Sequence, residues 1–365
     1  MRAGPSSAVL AGAARWSCSV SAWKGTTLLA ESVPVAGGRL TADVTQEVPE
    51  RLTFTVPDYA DGYSWVPDTA DHPLAACGQF VEVDIHVWRS LTPDPDSPPT
   101  STTRLGRFQI QSWDHDEDGF TVQVECVGLL QKALDARFRT PQVPRSAGTL
   151  ASEFRRLMVP GIPVEVSDSL VDRAVPQSFQ WDEDRLGALY EIADAWPARL
   201  RVDQFGVLQV LPPLPDEPVP VVWLTDGHRG TLISAPREGS RDGVYNVVVA
   251  RSTMTDSPAK EPLQAVREVG YGPLMPSEYG EVTFFWSSPL AATWTALDQS
   301  AATILADKIR PARVRVVRCA PDPRIELGDG VQLRQGTRET RGFVVATDLP
   351  LTVDGGDMSV TVGVA

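Results

Sequence analysis

Two stretches of the chain pass through the same series of short alternating segments, and this limits most strongly what the chain can fold into. The first runs "LTFTVPD", "CGQFVEVDI", "GRFQIQSW" and "DGFTVQVEC" between Leu52 and Cys126. The second runs "VRVVRCAPD", "LGDGVQLR", "GFVVATDL" and "GGDMSVTVGV" between Val314 and Val364. Each is a strand, a Pro-Asp break, a Gly-led strand, a Gly-Phe-led strand, an Asp/Gly turn and a closing strand. Apolar residues recur at every second position, the period of a half-buried strand. Alternation and turns recur in every β protein, so two unrelated meanders are the competing explanation. The shared order favours duplication, and the Pro-, Ser- and Thr-rich run at 91–103 accounts for the extra length of the first copy.

The period changes between the copies. "TLASEFRRLM" sets Leu150, Phe154, Leu157 and Met158 on one helical face, and "WDEDRLGALYEIADAW" does the same for Leu186, Leu189, Tyr190 and Ala193 before Pro197 stops it. "PVEVS" reads as a strand and "ARLRVDQFGVLQVLP" as a hairpin turning at Phe205-Gly206, with "LPPLPDEPVP" as a linker. The predicted architecture is mainly β with an α+β insertion: two tandem related β-barrel domains separated by a small α/β domain. The boundaries are 1–140, 141–215 and 216–365. The last part carries a long loop at 252–279, expected to be mobile in the isolated chain, and one helix at 293–310. Gly37-Gly38 marks a turn, a short helix is expected within 129–137, and the N-terminus reads as mature chain. No apolar run approaches the ~18 residues a membrane helix requires, so no insertion by this chain is expected.

Each motif that resembles a reactive or binding site has a structural explanation. "DHDEDGFTVQVE", Asp114 to Glu125, fits the spacing of a helix-flanked calcium loop. Both flanks alternate with period two, so Glu125 cannot swing back toward Asp114, and the stretch reads as an acidic hairpin in which Gly119 takes the positive φ. "WDEDR" at 181–185 places three carboxylates beside a Trp, a possible sugar-cleaving pair. Adjacent carboxylates on one element do not flank a bond, and Asp182 or Asp184 reads as a helix cap with acidic residues favouring the first turn. "LGDGV" at 327–331 lacks the length and following helix of a phosphate loop. His86 in "VDIHVW" reads as a sheet residue. Cys18, Cys77, Cys126 and Cys319 are widely spaced, three of them in strand contexts where a buried free thiol is expected. The ten Trp, among them Trp16, Trp23, Trp65, Trp88, Trp113, Trp223, Trp286 and Trp294, are too dispersed for one sugar platform and suit core and interface use. No catalytic, cofactor-binding or metal-ligating residue is assigned, no cofactor is expected, and the chain is read as a non-enzyme. A net charge of −14 in 365 residues is unsuited to gripping phosphates.

Taken in succession, the Gly-Phe strand with its acidic hairpin, "VECVGLLQKALDARF", the 181–212 block, "GVYNVVVA" and "PDPRIELGDGVQL" resemble the hub proteins of phage tails. Among these the chain is most similar to minor tail proteins of actinobacterial long-tailed phages, in keeping with only four Lys among 33 basic residues. The resemblance implies a homotrimer whose paired barrels form a pseudo-sixfold ring. Such a ring joins a sixfold tail tube to a threefold spike or fibre at the virion's tail tip. The implied partners are a distal tail or tail tube protein, a spike or fibre protein and a tape measure protein. DNA would pass the acidic channel without specific binding. The equivalent hub of a contractile injection particle and a secreted carbohydrate-binding or carbohydrate-active β protein are the alternatives.

Overall fold

The computed structural model describes residues 1–364 apart from 13, 93, 95, 96, 229, 237–240, 242, 254–262 and 310–313. After a one-turn helix α1 (Ser7–Leu10), the chain forms β1 (Arg15–Lys24), β2 (Thr27–Ala30), β3 (Gly37–Asp43), β4 (Glu50–Pro57), β5 (Tyr59–Ala60), β6 (Tyr63–Ser64), β7 (Gln79–Trp88), β8 (Ser101–Asp116) and β9 (Thr121–Gly128). Next come α2 (Gln131–Asp135), α3 (Leu150–Leu157), β10 (Val164–Val166), α4 (Arg185–Ala195), β11 (Arg199–Val202) and β12 (Leu208–Leu211). The remainder forms β13 (Val222–Thr225), β14 (Leu232–Ser234), β15 (Val247–Ser252), β16 (Gln264–Glu268), α5 (Pro276–Tyr279), β17 (Thr283–Ser288), α6 (Trp294–Ile309), β18 (Val314–Cys319), β19 (Gly330–Gln335), β20 (Arg338–Pro350) and β21 (Met358–Val364). The protein is mainly β.

These elements pack as two units that do not follow the expected three-part division of the chain. One unit joins 1–131 to 217–238 and 314–365; the other joins 132–216 to 239–313. The reason lies in "YNVVVA" and the segments after it. β15 is flanked by β16 and by β17, and the Ala and Val residues of this small sheet are covered by Ala296, Leu297 and Ala301 of α6. The sheet therefore has its own core and no need of a barrel. The stretch expected to be a loop at 252–279 contains β16 and α5, because Gln264 to Glu268 matches β15 residue for residue; residues 254–262 lie outside the described set. In the same unit β10, β12 and β11 form a second three-stranded sheet, with α3 and α4 as predicted. The Pro-rich connection is shorter than expected, since β8 already begins at Ser101.

The first unit holds a 13-stranded sheet whose path runs β14-β18-β21-β20-β3-β4-β9-β8-β7-β1-β2, with β19 paired to β20 and β13 paired to β19. The path is open, and no closed ring of strands occurs among the described residues. The two sequence copies are neighbours within it. In the first copy the order is β4-β9-β8-β7, all antiparallel; in the second it is β18-β21-β20-β19, all antiparallel.

The correspondence extends to single residues. Ile110 opposes Cys126, and one bulge later Ser112 opposes Glu125; Val344 opposes Val362, and one bulge later Ala346 opposes Thr361. Phe54 opposes Val124 as Val317 opposes Val360, and Val81 opposes Phe108 as Val331 opposes Gly342. Matching by register equates Phe54 with Val317, Val56 with Cys319, Val81 with Val331, Val83 with Leu333, Ile110 with Val344, Val122 with Met358, Val124 with Val360 and Cys126 with Val362. Every one of these side chains is at most 2 % exposed. Because a one-residue slip turns a strand's apolar face outward, agreement across four strands and a shared bulge is hard to reach by chance.

Candidate assembly surface

The two copies meet where β20 pairs with β3. Beyond its pairing with β19, the outer half of β20 lies antiparallel to β3, from Ala346 opposite Asp43 to Pro350 opposite Arg39. Leu349 opposes Leu40, which in turn opposes Leu52 across β3 and β4, and all three are buried. At the solvent side the Arg39 guanidinium donates to Asp348 at 2.5 Å and to the Gly355 carbonyl at 2.9 Å. Backbone bonds from Val44 to Val345 and from Leu351 to Gly38 close both ends of the ladder.

Sequence reasoning missed this joint. Gly37 and Gly38 form the start of β3, opposite Thr55 and Phe54, and not a turn. A Cβ on Gly38 would stand 2.4 Å from the Thr53 carbonyl oxygen and 2.8 Å from the Phe54 Cβ. The glycine is there because two backbones approach closely, a meaning that Gly inside a strand often has. β13 and β14, which follow the Pro-rich linker, were also missed.

The residues weighed as sites fall in separate places. Asp114 to Glu125 spans the β8–β9 hairpin, with Asp114 opposite Gln123. Its positive φ belongs to Phe120, at 52°, and not to Gly119. At Gly119 the Asp116 carboxylate accepts the amide at 3.0 Å, and a Cβ would sit 2.4 Å from that carboxylate unless the Asp116 side chain moved. At 181–185, Asp184 is the N-cap of α4 and accepts from the Gly187 amide at 2.9 Å, while Trp181 is buried. The first turn of α4 carries no acidic residue, since Asp182 and Glu183 precede the helix. Replacing Asp184 by Ala is expected to cost about 1 kcal/mol, read as a lower urea midpoint with an unchanged slope.

His86 holds Ser19 at 2.8 Å and Thr102 at 2.9 Å through its two ring nitrogens. Residues 327–331 form a turn into β19, where Asp329 accepts the Glu326 amide. Cys126 and Cys319 are buried and Cys77 is exposed. Burial pushes the Cys18 thiol up to about 11 and the Cys319 thiol up to about 12, so neither is a nucleophile at neutral pH. Among the described residues no group of three or more His, Cys, Asp or Glu side chains is placed to hold a metal ion. No helix among them is long and apolar enough to cross a membrane.

The second unit contains an open cleft beside Phe138, lined by Arg137, Arg139, Arg156 and Arg185. Two of these cations are committed to the fold. Arg185 stacks over Phe138 and donates to the Ala136 and Leu157 carbonyls, and Arg156 pairs with the buried Glu153. The cleft is a braced corner of the α/β unit.

No protein-family model and no curated protein sequence matches the chain. Solved structures do. A tail protein from Neisseria meningitidis MC58 matches with a TM-score of 0.65 and 13 % identity, over 95 % of this chain and 96 % of that one. The 43 kDa tail protein of prophage MuSo2 from Shewanella oneidensis matches with a TM-score of 0.61 and 12 % identity, over 94 % and 98 %. A Francisella PdpA-VgrG complex matches with a TM-score of 0.52 and 10 % identity, over 96 % of this chain and 57 % of that chain. The chain thus shares its fold, nearly end to end, with tail proteins, one of them from a prophage.

Proposed function

We propose that this chain is a structural subunit of a phage tail tip: a hub that forms a homotrimeric ring between a sixfold tail tube and a threefold spike or fibre. The observation that carries the reading is the register-for-register duplication of four strands within one sheet. Three copies of a chain with two equivalent modules present six similar faces around an axis, which is what a junction between sixfold and threefold parts requires. Each module, with its buried core of Val and Leu residues, supplies one segment of that ring. The fold shared with a tail protein and with a prophage tail protein supports the same location.

The chain's work on this reading is assembly and symmetry matching, with no reaction of its own. Its neighbours are a distal tail or tube protein above, a spike or fibre below and a tape measure protein in the bore. With a net charge of −14, the ring lets DNA pass without holding it. An actinobacterial long-tailed phage as the source accords with the Arg-over-Lys bias. The likeness to the VgrG-containing complex favours, as a second reading, the hub of an injection particle.

Gold labelling of a tagged chain in the parent particle tests the location. Label confined to the tip end of a DNA-filled particle's tail is the expected result. Label on a headless particle selects the second reading. A monomeric chain that binds glycans and labels neither would return the carbohydrate-binding alternative.

A further inference from the structure

We propose that the arginine-lined cleft beside Phe138 is a docking site for an acidic segment of another protein. The ring reading uses only the duplicated sheet, whereas every residue lining this cleft belongs to the second unit. The cleft's volume of about 740 Å³ falls within the ~300–1,000 Å³ of ordinary ligand pockets. Arg137, Arg139, Arg156 and Arg185 set four guanidinium groups on its walls, against the single carboxylate of Asp135. The surrounding stretch 132–160 holds six basic residues and two acidic ones, in a chain whose net charge is −14.

The four cations are of two kinds. Arg185 lies 4.4 Å over the Phe138 ring and donates to the Ala136 and Leu157 carbonyls. Arg156 donates to Glu153, to Gln142 Oε1 at 3.0 Å and to the Val143 carbonyl at 3.2 Å. Those bonds take up donors that an incoming anion needs, so this pair builds the walls and contributes field. Arg137 and Arg139 stand on either side of the buried Phe138. Both are exposed, and among the described residues neither side chain has an ion pair or a hydrogen bond. Unpaired cations held this close repel one another until an anion arrives, and a cleft lined by one sign of charge focuses its field on the ligand.

The occupant follows from the charge and from its extent. A free guanidinium takes a carboxylate in a bidentate fork, the strongest geometry open to it on a protein partner. A nucleic acid is the poorer match. Its backbone is gripped by a long basic track, and outside this stretch the balance of the chain is strongly acidic. A short acidic peptide meets only the cleft. Leu157, Met158 and Pro160 complete the lining and give an apolar residue of that peptide a surface to rest on.

Fluorescence anisotropy on the full chain tests this, with a labelled peptide of aspartates and glutamates around a central leucine as the probe. Binding with a Kd below about 100 µM at low salt is expected, weakening at least about tenfold as salt rises from ~50 to ~500 mM. Arg137→Ala combined with Arg139→Ala is expected to weaken binding at least about tenfold. The same pair leaves the melting temperature unchanged, because both side chains are exposed and unpaired. Arg137→Lys combined with Arg139→Lys keeps the charge, loses the fork and falls between the two. A wild-type chain that does not bind the peptide overturns the proposal, as does equal affinity in the alanine pair. A single-stranded oligonucleotide that binds more tightly than the peptide, and loses affinity in the alanine pair, overturns it in favour of nucleic acid. None of these outcomes depends on whether the chain forms a ring.

Discussion

Truncation of Leu349 to Ala lowers the stability of the sheet-bearing unit by about 2–5 kcal/mol, the range for removing a fully buried Leu whose surroundings cannot collapse. The side chain is 3 % exposed and faces Leu40, at 4 %, which faces Leu52, at 0 %. Loss of the isobutyl group leaves a hole in the seam that joins the two modules, and the flanking backbone is pinned by the β20–β3 ladder. Val353, 58 % exposed and close in sequence, is the control: Val353→Ala stays within about 0.5 kcal/mol. Urea titration of Leu349→Ala, Leu40→Ala and the double variant measures the seam. The pair is expected to couple, with a double-variant loss differing from the sum of the single losses by more than about 0.5 kcal/mol. Full additivity would place the two leucines in separate packing environments and contradict a shared joint.

Glu50 provides the second large effect, with pH as the variable. It opens β4 beside Gly128, and its Oε2 atom is buried without a hydrogen-bond partner. Desolvation pushes its carboxyl up from 4.5 to about 7; the nearby Glu326 carboxylate adds to the rise, and a backbone hydrogen bond and Arg2 oppose it. Between these two values the folded chain keeps the proton and the unfolded chain releases it. Stability contributed by the protonated group is therefore full below about pH 4.5 and falls as pH rises, with the loss complete above about 7. The size is about 3 kcal/mol, since each tenfold difference in proton affinity between the folded and unfolded chain is worth about 1.4 kcal/mol. Glu50→Gln retains the shape and removes the titration. The melting temperature of the variant minus that of the wild type is expected to be small at pH 5, to grow to about pH 7 and to level off by pH 8. A flat difference over that range would show that water reaches the carboxylate.

Much of this architecture could be read from the residues. Helices α3, α4 and α6 were legible because their apolar residues keep helical spacing, and the capping Asp184 and the stop at Pro197 bracket α4. The repeat was legible because alternation and turn residues survive when individual side chains do not. Its alignment was not. Matching the Gly-Phe landmarks would equate Phe108 with Phe343, yet the register equates Phe108 with Gly342, since the bulge lies three residues after Phe108 and two after Phe343. A bulge changes which residue faces the core without leaving a residue type that announces it.

The joint strand β3 was hidden for a related reason. Its two glycines carry the signal of a turn, and only the position of Thr53 and Phe54 shows that they serve a close strand approach. Long-range order was the other loss. Nothing local in "VVWLT" or "TLIS" says that they pair with β19 and β18 across an intervening α/β unit, or that "YNVVVA" belongs to a different core.

Electron microscopy of the purified, assembled chain tests the central claim most directly. If one polypeptide supplies two interchangeable units, averaged end-on views resolve three chains as six alike lobes about an open bore. Views with any other number of lobes, or a closed centre, contradict it.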